Sequence, residues 1–411
     1  MYKKILSCRI CGNKNLKNIL HLGDQMLTGV FPTFEEKDSI SIGPVSLVKC
    51  FGEECCGLVQ MEYSYSLSEM YGNNYGYRSG LNKSMVDHLH LKVKKITEFI
   101  KLAANDLIID IGSNDATTLK AFTQKGLDLV GVDPTGVKFS SYYPDNIKLI
   151  PDFFSSKLVK DMFGERKAKV ITSFSMFYDL EDPLTFMKDV YEILDDNGVW
   201  IFEQSYMPRM LEMNSFDTIC HEHLEFYSLH QIKYMTDIVG FHIVDVDFNA
   251  INGGSFSITV RKKKGEECDE ELISNILLQE IESGLNTMTP YEDFAKRVGT
   301  VTKELVDFVK AERLKGKVVC ALGASTKGNV LLQYCKFTDN DISFIGEVNE
   351  EKLGSYSPGT FIPIISEKEL LSKNPDYLIV LPWHFKDFFI NNEKFSNTKL
   401  VFPLPKLEIY G

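Results

Sequence analysis

Apolar residues fall into two kinds of run along this chain. DLIIDIGSND gathers Leu107, Ile108, Ile109 and Ile111 into one short stretch ending in a turn, the pattern of a strand buried on both faces. LDLVGVDP, KAKVITSFS and GVWIFEQSY repeat it. The second kind has helical spacing. From Ser84 to about Leu102, Met85, Leu89, Val93, Ile96 and Ile100 recur on one face. LKAFTQKG predicts a helix stopped by Gly126, and Leu184 to Leu194 predicts another. Strands alternating with helices predict a parallel sheet covered on both faces. HIVDVDFNAINGGSFSITVRKK predicts two further strands, an antiparallel hairpin at one sheet edge.

A charge-rich break, KKKGEECDEE, follows from Lys262 to Glu271. Beyond it a long helical tract is expected to about Leu314. KGKVVCALGASTKGNVLLQY then reads as strand, glycine turn and helix, with DISFIGEVN and DYLIVLPW as later strands. The C-terminal third is therefore expected to be a second, smaller α/β unit. Residues 1 to 70 differ from both: short segments broken by turn residues, with little to build a large core, as in a unit stapled by metal. Three domains are expected, at 1–70, 71–265 and 266–411, in an α/β protein.

Composition narrows the partners. The 411 residues carry 45 basic and 57 acidic side chains, a net charge of −12, which argues against nucleic-acid or anionic-membrane binding. No apolar run approaches the roughly 20 residues of a membrane span. The start, MYKKILSCRICG, has no apolar signal core, so cytoplasmic residence is expected. Five of the nine cysteines lie in the first 56 residues, which favours a metal site over a disulfide framework. Cys8, Cys11, Cys50 and Cys56 can surround a tetrahedral Zn²⁺, with Cys55 competing for the fourth place. Four sulfurs leave no open coordination position, so that zinc is structural.

Three segments carry candidate chemistry. After the first buried strand, Gly112 lets backbone approach a ligand, and Asp110 or Asp115 can accept its hydrogen bonds. Asp133 closes the next strand, where a carboxylate meets ribose hydroxyls. A single glycine in place of GxGxxG suits a ligand with ribose and adenine but no pyrophosphate, namely S-adenosylmethionine. Asn114, Asp152 and Phe153 complete this candidate cofactor set. Cys220, His221, Glu222 and His223 form the densest ionisable group in the chain. On an extended segment the two histidines would share a face, and histidine is suited to proton transfer near pH 7. Gly323 to Gly328 is not a phosphate-binding loop of the GxxxxGK[ST] kind. It still offers backbone N–H groups, the Ser325 or Thr326 hydroxyl and the Lys327 ammonium at a helix start, a cradle for a diphosphate. Glu347 stands 24 residues after Gly323, where a ribose carboxylate would be.

These motifs, in this order, resemble the sugar C-methyltransferases that act on nucleotide-linked 4-keto-deoxysugars with S-adenosylmethionine. The resemblance rests on CRICG and CGLVQ near the N-terminus, YRSG at Tyr77 to Gly80, DIGSND at Asp110 to Asp115, the HEH at His221 to His223, NGGS at Asn252 to Ser255, and ASTKG. It implies a zinc-binding module, a central Rossmann-like class I methyltransferase domain and a C-terminal Rossmann-like domain gripping a nucleotide diphosphate. It further implies His223 as base, Glu222 as its neighbour, and Tyr75 or Tyr77 as hydroxyl donor. Arg78, Asn252, Ser325, Lys327 and Glu347 then join Tyr77 as substrate contacts. Cys220 stands where the family motif has tyrosine, and Ala116 where it usually has glycine. The expected partner is a small-molecule sugar nucleotide, and the expected state a monomer. Three other readings are an O- or N-methyltransferase, a nicotinamide-dependent oxidoreductase, and an inactive sugar-nucleotide-binding protein.

Overall fold

The computed structural model describes residues 2–66, 70, 77–263 and 268–411. The apolar run Leu107–Ile111 is a strand buried at every position. It sits inside a seven-stranded sheet. Asp128–Val132 and then Ile147–Ile150 lie parallel on one side of it, Ala168–Phe174 and then Leu194–Ser205 parallel on the other. The chain thus reverses its direction of growth at Leu107–Ile111. Such a reversal opens a crevice at the carboxyl ends of the two diverging strands. The expected hairpin, His242–Asn249 with Ser255–Arg261, closes the edge antiparallel to Leu194–Ser205.

Helices cover both faces. The helix Lys83–Phe99 starts where the Asn82 side chain accepts from Ser84 N. It buries Leu89, Val93 and Ile96, and the last two pack against Ile108, Val170 and Val199 of the sheet. The opposite face carries Pro183–Ile193 and Leu229–Val239, packed on Trp200 and Phe202. The helix expected after the first strand is shorter than the sequence pattern suggests: it is one turn, Thr117–Lys120. Leu119 and Phe122 are buried there, so the chain folds down onto the sheet before Gly126, which makes the next turn at φ 83°.

The C-terminal sheet repeats the switch. Val319–Leu322 has Ile345–Glu347 and Ile364–Ser366 on one side, Tyr377–Val380 and Lys399–Phe402 on the other, all parallel. Glu408–Tyr410 pairs antiparallel at the edge. The long helical tract is two helices, Glu270–Glu282 and Thr289–Leu314. Gly284, at φ 74°, breaks it, and Pro290 is compatible with a helix start but not with an interior.

The N-terminal module buries more than its short segments suggest. Leu16–Met26, Ile42–Cys50 and Val59–Met61 form an antiparallel sheet. Its fourth strand, Glu225–Phe226, comes from far along the chain. Val45, Leu47, Val59 and Met61 join one continuous core with Phe216, Ile219, Leu224, Phe294 and the C-terminal sheet. At the other end of this module the Sγ atoms of Cys8, Cys11, Cys50 and Cys56 all lie within 4.8 Å of one another. Cys8 and Cys56 are 3.5 Å apart, as are Cys11 and Cys50. Tetrahedral Zn–S bonds of about 2.3 Å place sulfurs about 3.8 Å apart, so the set fits zinc. Cys55 Sγ instead donates to the Gly52 carbonyl at 3.2 Å, outside the cluster, so Cys56 rather than Cys55 is the fourth sulfur of the set.

Because binding energy at such a site is folding energy, Cys8→Ser or Cys50→Ser should lower zinc content and melting temperature together. Mass spectrometry beside a thermal melt checks this. Full zinc retention in both variants would take the metal away from these four sulfurs.

Candidate active site

The carboxyl ends of the two parallel sheets open onto one cavity of about 500 Å³. Its walls include Gly112, Ser113 and Asn114 from the first switch point and Ser325, Thr326 and Lys327 from the second. Two separate crevices were the expectation from sequence. The structure joins them: the N-terminal module shares one core with the C-terminal sheet and another with the central sheet, and Gly29 and Phe31 of that module line the cavity.

At the first switch point a carboxylate organises the loop. Asp133 accepts from Asn114 N at 2.7 Å, and from Thr135 N and Oγ1 at 2.7 and 2.6 Å. An ionised carboxylate offers about four acceptor sites, so one remains for a ligand in the cavity it lines. Asp110 is also in the wall, accepting from Thr172 Oγ1 at 2.6 Å. Burial pushes its carboxyl up to about 7, against the hydroxyls of Thr172 and Thr118. Asn114 takes a left-handed φ of 48°, and so does Ala116 at 62°. An alanine accepts this conformation at a cost that glycine avoids. Phe153 lines the cavity, whereas Asp152 is exposed and accepts from Phe153 N.

Asp115 faces away from the cavity and ties down the YRSG segment. Its Oδ2 accepts from Gly80 N at 3.0 Å and lies 3.7 Å from the Arg78 guanidinium. Asn114 reinforces the tie, accepting from Ser79 N and donating to the Tyr77 carbonyl. A Cβ on Gly80 would come within 2.4 Å of Asp115 Oδ2, so this approach needs glycine. Tyr77 is thereby held in the cavity wall. Arg78 instead stacks over Tyr142, 4.3 Å from the ring centroid. Tyr75 lies outside the described residues.

The HEH segment is a turn rather than an extended stretch, so its histidines part company. His221 is fully buried with its ring edge-on to Tyr65, away from the cavity. Glu222 and His223 both line the cavity. His223 Nδ1 donates to the Thr218 carbonyl at 2.8 Å. A carbonyl only accepts, so in the neutral ring Nε2 carries the lone pair. Burial, with the nearby Lys327 ammonium, lowers the imidazole to about 4, and the ring is neutral at pH 7. Tyr178 packs edge-on against it at 4.6 Å. Burial raises the Glu222 carboxyl above its ordinary range, with the Thr28 hydroxyl opposing. Gly29 permits that position, since a Cβ there would fall 2.3 Å from Glu222 Oε1. Cys220 is buried in the core and does not reach the cavity.

At the second switch point Ser325 caps the helix Thr326–Tyr334, accepting from Gly328 N. Lys327 Nζ donates to the Asn252 carbonyl at 3.1 Å, and both residues line the cavity. Glu347 holds its loop much as Asp133 holds the other one. It accepts from Ala324 N, Val348 N and Asn349 N at 2.7–2.9 Å, and it lies outside the cavity wall. Lys352, which no sequence motif marked, is in the wall, donating to the Ala324 carbonyl and lying over the Phe31 ring. His384 is in the wall too, and only its place after a strand hinted at it.

Three family models match the chain in order. They are described as "Putative zinc binding domain" over residues 8–71, "Methyltransferase domain" over 85–246 and "C-methyltransferase C-terminal domain" over 250–405. The C-methyltransferase NovU of Streptomyces niveus is 26% identical over 409 residues, covering 98% of this chain and 96% of that one. Among solved structures, a chain from the complex of the Haloferax volcanii Trm112 methyltransferase activator with a methyltransferase is 15% identical. It covers 45% of this chain and 95% of its own length, with a TM-score of 0.37. The plantazolicin methyltransferase BpumL in complex with SAH is 10% identical, covers 43% and 82%, and has a TM-score of 0.34. With four thiolates placed for zinc and a methyltransferase domain around the Asp110–Asp133 crevice, the cofactors are a structural zinc and S-adenosylmethionine. The chain thus joins a zinc-binding domain, a methyltransferase domain and a C-methyltransferase C-terminal domain, and it is an S-adenosylmethionine-dependent enzyme.

Proposed function

We propose that the protein methylates a ring carbon of a nucleotide-linked keto-deoxysugar, with His223 as the base. One observation carries this reading. A neutral histidine, its Nδ1 committed to a carbonyl, shares a single cavity with a donor-type carboxylate crevice and a lysine-bearing loop at a helix start. The full-length likeness to a C-methyltransferase supports carbon as the acceptor.

S-adenosylmethionine supplies an electrophilic methyl on a sulfonium. With that donor bound, Asp133 would accept from its ribose hydroxyls and Asp110, in the same wall, would face its positive charge. Gly112 and Asn114 let the backbone come close. At the other end Lys327, Lys352 and the Ser325 loop hold the diphosphate, whose charge they offset. His223 Nε2 takes the proton from the carbon beside the ketone, and the electron pair left on that carbon would form the new carbon–carbon bond as the methyl–sulfur bond breaks and neutral S-adenosylhomocysteine leaves. Negative charge collects on the keto oxygen, where donors lower the barrier. Tyr77 or Tyr75 would offer a hydroxyl there, and burial favours the neutral form of Glu222.

The proton step should be separable from methyl transfer, because deprotonation beside a ketone is reversible. With a nucleotide-linked 4-keto sugar in heavy water and a non-methylating donor analogue, the enzyme should wash deuterium into one ring carbon. His223→Asn should abolish this exchange while both ligands still bind. Exchange surviving in that variant would move the base elsewhere, and methyl found on oxygen or nitrogen would defeat the carbon reading.

The two ends of the cavity should separate by mutation. Asp133→Asn should weaken S-adenosylmethionine by about 1–3 kcal/mol through a lost acceptor, with the sugar nucleotide little changed. Lys327→Ala should do the reverse. Calorimetry with each ligand reads both, and parallel losses in one variant would overturn the division.

Donor binding should also depend on pH. Asp110 is neutral below about 7 and ionised above it. Affinity for the positively charged donor should therefore rise between pH 6 and 8, by roughly several-fold if one charge–charge contact is gained. Asp110→Asn should flatten this profile. A wild-type affinity independent of pH would remove Asp110 from the donor site.

A further inference from the structure

The strand Ala168–Phe174 ends at the cavity, and the residues just after it take different sides. Ser175 turns the chain with a left-handed φ of 55°, its N–H donating to the Glu203 carbonyl at 2.7 Å. Phe177–Asp179 is then a single short turn. Phe177 is fully buried, its ring 5.2–5.8 Å from those of Phe186, Trp200, Phe202 and Tyr227. Tyr178, the next residue, is half-buried and lines the cavity instead. Its ring meets that of His223 at 4.6 Å between centroids and 69° between planes. Its carbonyl accepts from Leu224 N at 2.8 Å, which ties its backbone to the residue next to His223. An aromatic anchor on one side and a backbone hydrogen bond on the other thus hold this phenol beside the imidazole.

Resting on the reading of His223 as base, we propose that Tyr178 is a catalytic residue whose hydroxyl donates a hydrogen bond to the keto oxygen as the enolate forms. Its place follows from the connectivity of the substrate. The carbon that gives its proton to His223 Nε2 is bonded directly to the keto carbon. The keto oxygen therefore sits beside the imidazole, and a donor to it must stand there too. Glu222 is next to His223 in the chain, but its carboxyl is turned to the N-terminal module, against Gly29 and 3.5 Å from the Thr28 hydroxyl. Lys327 Nζ is engaged with the Asn252 carbonyl. Tyr178 is the phenol in ring contact with the base. In the proton step the C–H pair becomes the C=C bond of the enolate, and the C=O π pair settles on oxygen. The phenol keeps its proton, and its fixed O–H dipole meets the charge as it develops. On methyl transfer the C=C pair forms the new carbon–carbon bond, C=O re-forms, and the methyl–sulfur pair leaves on sulfur. A phenol that donates its one proton can still accept from other groups, so the role is compatible with further contacts of the Tyr178 hydroxyl.

Tyr178→Phe keeps the ring that packs on His223 and removes only the hydroxyl. In full-length, zinc-loaded protein it should slow both kcat and the heavy-water exchange into a nucleotide-linked 4-keto sugar by roughly a hundred- to a thousandfold, the loss expected for one oxyanion donor. KM for the sugar nucleotide, affinity for S-adenosylmethionine and melting temperature should hold. A purely packing role leaves the rates untouched, since phenylalanine packs as tyrosine does, so wild-type exchange and kcat in Tyr178→Phe would overturn the proposal. Fluorinated tyrosines placed at position 178 supply a second reading at nearly constant shape. More acidic phenols are better donors, so the exchange rate should rise with phenol acidity while the pH keeps the phenol protonated. A rate that does not respond to acidity would also overturn the donor role. Failure of the base assignment has a different mark, exchange that survives in His223→Asn. Failure of this one alone leaves His223→Asn without exchange and Tyr178→Phe as fast as the wild type.

Discussion

Two residue pairs, Glu225 with Gln60 and Phe226 with Val59, hold the active site in register. Through them the segment just after the HEH turn becomes the fourth strand of the zinc-bearing sheet. Leu224, between turn and strand, extends the stitch: its carbonyl accepts from Met61 N, and its N–H donates to the Tyr178 carbonyl. The turn carrying His223 is thus clamped between the N-terminal sheet and the loop that ends Ala168–Phe174. A turn alone would be among the more mobile parts of a domain. Pinned this way, it presents the His223 ring in a fixed place. The Arg9 side chain, between two zinc ligands in sequence, adds contacts to the Met61 carbonyl, Ser64 and Glu181. The metal module therefore does more than stabilise itself. It is the wall against which the turn carrying His223 is held.

The two α/β domains solve the same local problem alike. A parallel sheet that reverses its growth leaves backbone N–H groups exposed at the loop after its first strand. In the central domain Asp133 accepts from that loop, and in the C-terminal domain Glu347 does. Each acid closes the second strand, so each carboxylate is a structural clasp before it is anything else. They differ in what is left over. Asp133 still borders the cavity, while the third backbone contact of Glu347 turns it inward. Position in a motif therefore placed both acids, and local hydrogen bonding decided which one can meet a ligand.

Burial sets the protonation of the cavity at neutral pH. His223 is pushed down to about 4, Asp110 up to about 7, and Glu222 upward. The lysines of the second switch point have their ammonium groups opposed by the same desolvation. Removing groups from water disfavours their charged forms, whichever sign they carry. The cavity accordingly holds a neutral His223 ring, and ligands that bring compensating charges of their own gain most from it.

The periodicity of the chain was enough to locate Leu107–Ile111, Asp128–Val132, the edge hairpin and the second α/β unit, because buried strands and amphipathic helices leave local patterns. The four thiolates were legible for the same reason, since cysteine spacing is a local signature of metal. Other features were not local. The choice of Cys56 over Cys55 depends on which sulfur the turn at Gly52 points inward. The merging of two crevices depends on a core shared between the N-terminal sheet and the C-terminal domain, and it brings in Phe31 and Lys352, which no motif marks. The separation of His221 from His223 depends on that segment being a turn, which the strand pairing of Glu225 and Phe226 with residues far earlier in the chain imposes. The residue types able to move a proton or hold a diphosphate were set by the sequence alone. Which of them share a cavity was decided by long-range strand pairing and packing, because hydrogen bonds between distant segments leave no spacing in the chain to read.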